Sequence, residues 1–378
     1  MSGHGEKHGS KKNLSAKTSK TQTFFLPNLF EGVLSSVHGA GAEAPGKTFQ
    51  GVLPFLNAES LAHLEEASKG LRNHVRSTFL GQPVTLPPGT SITKLLTTLP
   101  KVTNLDVSAH RTITDAAFEE AGPLLKHVTT LDITNCTDLT PEIFAYMPHL
   151  KRLTMKHLFG THRFRNNPFA HLEALTDLDV SATFLPDEAF ASLTHLKTLT
   201  MFSCTPTTDA AFTHLSNLTT LIIDLCNHIT GSGFEHLRNL RTLVMRRANR
   251  VTDESFRHLP HLTELDATGC TQLSDEAFKP LKHLVNLNLS NCAQKTLTDD
   301  AFATLTQLQV LNISGCTQLT PDMFTKNMLP HLQYALGTYG LHPDLHKAME
   351  KLIRANKERH VGKKHRTRRN RRNRRNHN

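Results

Sequence analysis

LTELDATGCTQLSDEAFKPL, residues 262–281, is one copy of a pattern that organises most of the chain. Leu262 and Leu265 form an L-x-x-L pair, Ala267 follows two residues later, Cys270 five later and Phe278 thirteen later. Taking the second leucine as anchor, the pattern returns at Leu105, Leu131, Leu153, Leu178, Leu199, Leu221, Leu243, Leu287 and Leu311, mostly 22 residues apart with small insertions. A fixed period in this range predicts a solenoid. Apolar residues three before and two after each anchor, such as Leu218 and Ile223, alternate with polar ones and predict a short strand with one buried face. The phenylalanine follows a helix-start signal. Thr114-Asp115, Thr208-Asp209, Thr252-Asp253 and Thr298-Asp299 pair a capping hydroxyl with an acid in the first turn, and Thr140-Pro141 and Thr320-Pro321 put proline at the first helical position. Each unit therefore reads as strand, turn and short helix. No unit can bury its apolar edge alone, so neighbours are expected to share one core, with strands on the concave side and helices on the convex side.

All six cysteines, Cys136, Cys204, Cys226, Cys270, Cys292 and Cys316, lie five residues after an anchor. A functional thiol would stand outside that register. The chain thus offers no catalytic nucleophile, disulfide framework or CxxC metal pair, and unpaired buried thiols suit a reducing compartment.

The pattern L-x-x-L-D-I/V-S/T-x-C-x-x-L-T/S-D-x-A-F-x-x-L resembles the cysteine-containing leucine-rich repeat over roughly residues 95 to 335, with a unit shorter than the family's usual one. The resemblance implies an α/β leucine-rich-repeat horseshoe of about ten repeats, in which each cysteine lies behind its strand and its S–H donates to loop carbonyls. His110, Leu158, Thr183 and Ala248 hold that place in the other copies.

Residues 24–80 are apolar, non-repeating and helix-like. The stretch Val52 to Arg72, VLPFLNAESLAHLEEASKGLR, is similar to the second and third helices of an F-box, and Leu26 to Leu34 resembles its opening, displaced by the insert Ser35 to Lys47; Leu71 stands where the family has tryptophan. An F-box followed by such repeats resembles the substrate receptors of cullin-RING (SCF) ubiquitin ligases. The resemblance implies that Val52, Leu53, Phe55, Leu56, Leu61, Leu64 and Leu71 dock on a Skp-type adaptor and, through it, a cullin. The solenoid would capture a protein substrate. The alternative is a helical cap sealing the first repeat of a non-enzymatic nuclear scaffold or regulatory binder.

Formal net charge is +10, yet residues 351–378 hold 13 Lys and Arg against Glu358 alone, which leaves the rest slightly acidic. The tail carries Lys363, Lys364, Arg366, Arg368, Arg369, Arg371, Arg372, Arg374 and Arg375 and no aromatic residue. Such a tail is expected to be disordered and to act as an address for a nuclear import receptor, or as an arm for non-specific, salt-dependent contact with nucleic acid. No apolar run is long enough for a membrane span and the first twenty residues lack a signal-peptide core, so nucleus or cytoplasm is expected. The expected organisation is a disordered basic segment 1–23, the F-box-like helical module 24–80, the solenoid 95–340, a capping helix 341–360 and the disordered tail 361–378.

Residues one before, one after and three after the anchor should face outward from the sheet. Most copies carry Asp or Asn, then Ser or Thr, there. The exceptions gather in the repeats anchored at Leu199, Leu221 and Leu243, where Phe202, Ile222, Asp224, Val244, Arg246 and Arg247 are expected to form one partner-binding patch. Arg152 and Lys156 mark a second cluster. Gly41 to Thr48 fits the phosphate-loop spacing GxxxxGK followed by Ser or Thr, but too few residues precede the repeats to build the α/β sheet such a loop needs, so it reads as a Gly/Pro/Ala loop, leaving an NTPase using Lys47 as a third hypothesis. Many of the 24 histidines recur in register near helix ends, which reads as solvated repeat surface. No metal, cofactor or catalytic set is expected.

Overall fold

The computed structural model describes residues 83–87, 89–158, 164, 167–325, 328–337 and 343–358. Twelve short strands lie side by side in chain order in one parallel sheet, from β1 (Val84–Thr85) to β12 (Tyr334–Leu336). Every pairing sets anchor against anchor, as in Leu221 opposite Leu199 and Leu243. The ten anchored strands are thus flanked by two that the leucine pattern does not reveal. In β1 the anchor place is held by Val84, opposite Leu105, and in β12 by Ala335, opposite Leu311.

The core is a set of columns running along the stack. The anchor leucines and the ten repeat phenylalanines are buried, with Phe212 and Phe234 in contact at 6.2 Å between ring centroids. Between strand and helix the chain turns through a left-handed residue, four after the anchor, at Asn135, His157, Ala182, Ser203, Leu225, Arg247, Gly269, Asn291 and Gly315. The N–H of this residue donates to the carbonyl of the neighbouring repeat, as from Asn135 to Lys156 and from Arg247 to Thr268.

The helical side is thinner than the sequence suggests. Most units carry a 3-10 turn of three to six residues, such as Asp209–Phe212 or Asp253–His258. A 22-residue unit leaves room for one turn only. Longer than any of these turns is the α-helix Asp115–Leu125, in a unit lengthened to 26 residues. Its Gly122 lies against the next repeat, where an added Cβ would meet the Tyr146 ring at 3.1 Å.

Two polar ladders tie the repeats together. Each thiol donates to a carbonyl of the preceding repeat, two residues past that repeat's anchor: Cys226 to Met201 O at 3.0 Å, Cys270 to Met245 O at 3.0 Å and Cys316 to Leu289 O at 3.0 Å. Burial pushes Cys136, Cys270 and Cys316 up to about 12, far above an ordinary thiol. On the helical side, six aspartates that start a helix or turn, Asp115, Asp187, Asp209, Asp253, Asp275 and Asp299, accept from the N–H and hydroxyl of the capping residue in the next repeat. Asp187 serves Thr208 at 2.7 and 2.6 Å, and Asp275 serves Thr298 at 2.7 Å for both bonds. These carboxylates are therefore struts between repeats as well as first-turn acids.

At the C-terminal end a helix covers 343–358, with Leu345, Met349 and Leu352 buried. Asn356, also buried, donates through Nδ2 to Leu332 O at 2.9 Å and Leu329 O at 3.4 Å, so a helix side chain satisfies carbonyls of the final unit.

Candidate protein-binding face

The outward side of the sheet is set by strand alternation, since each buried anchor has partly exposed neighbours before and after it. In six repeats the residue after the anchor is Asp or Asn, whose side chain accepts from the N–H of the Ser or Thr two places on. Asp266 takes both the N–H and the hydroxyl of Thr268, at 3.1 and 2.6 Å, and Asn288 does the same for Ser290. This local cap uses up the polar groups, which makes that part of the face chemically quiet.

The three central repeats break the cap. Thr200, Ile222 and Val244 stand after the anchor, and Phe202, Asp224 and Arg246 stand two further on. Backbone pairing places Thr200, Ile222 and Val244 in one rung, so Ile222 and Val244 are adjacent and half-buried. Phe202, 44% exposed, stands beside them. Its N–H makes no local cap bond and instead donates to Ser181 Oγ in the preceding repeat at 3.2 Å.

Arg246 is held between two carboxylates. Its Nε lies 2.8 Å from Asp266 and its terminal nitrogen 3.8 Å from Asp224, while its own N–H donates to Asp224 at 2.8 Å. The Asp266 bond holds the guanidinium charged, whereas burial raises the Asp224 carboxyl despite its arginine neighbour. Arg247 stands apart from this group. It occupies the left-handed turn, where its side chain would touch a Cβ at Gly269 at 3.2 Å, so the structure joins only five of the six patch residues on the sheet. The second cluster is also paired across strands: Lys156 with Asp179 at 2.8 Å and Arg152 with Asp177 at 3.7 Å. The face thus presents an apolar centre at Phe202, Ile222 and Val244, edged by ion pairs whose members are already neutralised.

The F-box-like residues Val52, Leu53, Phe55, Leu56, Leu61, Leu64 and Leu71, the phosphate-loop-like Gly41 to Thr48 and the tail residues Lys363 to Arg375 lie outside the described residues. Among the described residues, no three His, Cys, Asp or Glu side chains converge as a metal site would require.

The sequence matches the family described as Leucine rich repeat over residues 268–319, and that described as BspA type Leucine rich repeat region (6 copies) over residues 111–241. Together with twelve parallel strands in sequential register, these matches decide the class. The chain is a leucine-rich-repeat solenoid. Among solved structures, this solenoid is similar to an internalin (InlF) from Listeria monocytogenes, at 19% identity and TM-score 0.52, covering 77% of this chain and 92% of that one. At that identity the likeness is one of fold. Weaker matches include the Rad7 and Elc1 complex of yeast, at 18% identity and TM-score 0.37, covering 82% of this chain and 86% of that one. The Toll–Spatzle complex of Drosophila matches at 17% identity and TM-score 0.46, covering 72% of this chain and 40% of that one. No curated protein matches the chain by sequence. The leucine-rich-repeat fold supports a protein-binding scaffold.

Proposed function

We propose that this chain is the substrate-recognition subunit of an SCF-type ubiquitin ligase, with no chemistry of its own. The observation that carries the binding half is the apolar centre on the open sheet face, where Phe202 is exposed and Ile222 and Val244 are half-buried. Phe202, Ile222 and Val244 stand where the other repeats place self-capped Asp, Asn, Ser and Thr, and an apolar centre rimmed by charge is what protein hot spots are made of. The adaptor half rests on sequence alone: the F-box-like run Val52 to Arg72 precedes the repeats in the order used by such receptors. The competing reading is a regulatory scaffold whose residues 24–80 merely seal the first repeat.

The two readings part in a pull-down of the full chain with a Skp-type adaptor and cullin. The receptor reading expects association that the double substitution Leu56→Asp with Leu61→Asp abolishes, in a variant whose circular dichroism and melting match the wild type. No association of the unaltered chain would sink the adaptor half and leave the scaffold.

The same reading gives the tail from Lys363 to Arg375 a role as a nuclear import address. A fluorescent fusion of the full chain is expected to concentrate in the nucleus and to become cytoplasmic when the arginines from 366 to 375 are changed to glutamine. Unchanged distribution would remove that role, and salt-sensitive RNA binding by the tail would replace it.

A further inference from the structure

We propose that a groove on the edge of the solenoid where each helix leads into its strand binds an acidic peptide segment of the captured protein. This rests on the reading above that the solenoid binds protein. The groove, about 370 Å³, is lined by His195, Lys197, Asn217, Thr219, Asn239 and Arg241, drawn in pairs from three successive repeats.

Its origin is a local change in a repeating row. Four residues before the anchor the chain places His127, His149, His195, His261, His283 and His331, and His261 and His283 stack with ring centroids 6.5 Å apart. Asn217 and Asn239 interrupt that row. Their shorter side chains turn inward, with Nδ2 of Asn217 donating to Thr194 O at 2.8 Å and Nδ2 of Asn239 to Ser216 O at 2.9 Å. Space opens where two imidazoles would otherwise project. Two residues nearer the anchor, Lys197, Thr219 and Arg241 form a second column held by the backbone: Thr219 N donates to Lys197 O at 2.8 Å and Arg241 N to Thr219 O at 2.9 Å. At a strand spacing of about 4.8 Å, Lys197 and Arg241 stand roughly 10 Å apart, one toward each end of the groove.

The charge within the groove itself is one-sided. The connecting segments 192–198, 214–220 and 236–242 contain no Asp or Glu, whereas the opposite edge carries Asp187, Asp209, Asp253, Asp275 and Asp299. Among the described residues neither Lys197 nor Arg241 is paired with a carboxylate, in contrast to Lys156, Arg152 and Arg246 on the sheet face. Two free cations flank a floor in which the asparagine Oδ1 atoms and the Thr219 hydroxyl remain as acceptors. An anion alone would use the cations and find no use for the acceptors. A peptide uses both, since its acidic side chains meet Lys197 and Arg241 while its backbone N–H groups donate to the floor. A nucleic acid fits less well, because its backbone offers phosphates without such a row of donors and the groove gives a base only the His195 imidazole to stack on.

The test is fluorescence anisotropy at low salt with three labelled probes: a short peptide carrying three glutamates, the same peptide with phosphoserine in their place, and a glutamine control. The protein is the full chain with the tail arginines from 366 to 375 changed to glutamine, so that the tail does not bind the probes, compared with that chain carrying Lys197→Gln and Arg241→Gln. Binding of the glutamate or the phosphoserine peptide, weakened about tenfold by the double substitution and absent for the glutamine control, is the expected result. Whichever probe binds more tightly identifies the source of the negative charge. Equal binding by the two proteins, or no binding of either acidic peptide, would overturn the proposal. So would a single-stranded RNA that displaces the peptide more strongly than unlabelled peptide does. None of these outcomes depends on adaptor binding.

Discussion

Asp209→Ala is expected to lower the unfolding free energy by about 3 kcal/mol, roughly twice the loss from Asp275→Ala, because of what each carboxylate leaves behind. Asp275 accepts two hydrogen bonds, both from Thr298. Asp209 accepts four, from Thr230 N and Oγ1 at 2.8 Å each, from Gly231 N at 2.9 Å and from Gly233 N at 3.2 Å. Its alanine variant strands three backbone N–H groups in a part-buried turn, where water replaces the carboxylate incompletely. Chain geometry concentrates the load. Gly231 sits at φ +87° and takes the place of the strut aspartate of its own unit, and an added Cβ there would lie 2.3 Å from Ser255 Oγ. A Cβ at Gly233 would lie 2.4 Å from Asp209 O, so the two turns approach backbone to backbone. Since each repeat touches only its neighbours, weakening this junction is also expected to broaden the urea transition of the full chain. Equal losses in the two variants would mean that the glycine N–H bonds contribute nothing.

That junction shows what a linear reading of the chain captures. The leucine, phenylalanine and cysteine columns are visible because stacking forces one residue type into one register position, so a period of about 22 residues exposes the core directly. The threonine-aspartate pair was equally visible but read within one repeat, as a helix start. Its carboxylate reaches 21 to 25 residues forward, to the next repeat's capping residue, as from Asp209 to Thr230 and from Asp115 to Thr140. The co-occurrence of both members in successive units was the available signal, broken at Pro141, Gly231 and Pro321. Arg246, Lys156 and Arg152 were legible as exceptions to a quiet face but not as ion-paired residues, because each partner acid lies in a neighbouring repeat. Val84 and Ala335 escaped because each end strand is hydrogen-bonded within the sheet on one side only and does not repeat the leucine pair of the inner strands. The groove escaped for the opposite reason: a histidine row read as solvated surface says nothing of the space that opens where asparagine interrupts it.

Between pH 8 and pH 10 the fold is expected to lose about 4 kcal/mol through Cys136, Cys270 and Cys316 alone. An ordinary thiol titrates at 9.0, whereas burial holds these three near 12 in the folded chain. Above pH 9 the unfolded chain has released protons that the folded chain still binds. Unfolding therefore sheds protons, and stability falls as pH rises, present in full below 9 and lost progressively toward 12. Each thiol contributes up to about 1.4 kcal/mol per pH unit, and three together are comparable with the whole stability of many domains. The comparison chain is the triple variant Cys136→Ala, Cys270→Ala and Cys316→Ala. Alanine already fills this place at Ala248 with no exposure, so the variant should fold while losing about 1 kcal/mol per thiol hydrogen bond at neutral pH. Ionisation elsewhere is common to both chains and cancels in the difference. Urea unfolding across this range should therefore find a large gap in favour of the wild type at pH 8 that closes by pH 10. Parallel pH profiles would show that the folded chain opens enough to ionise its thiols, and the cysteine ladder would then have to be regarded as solvent-accessible on the timescale of unfolding.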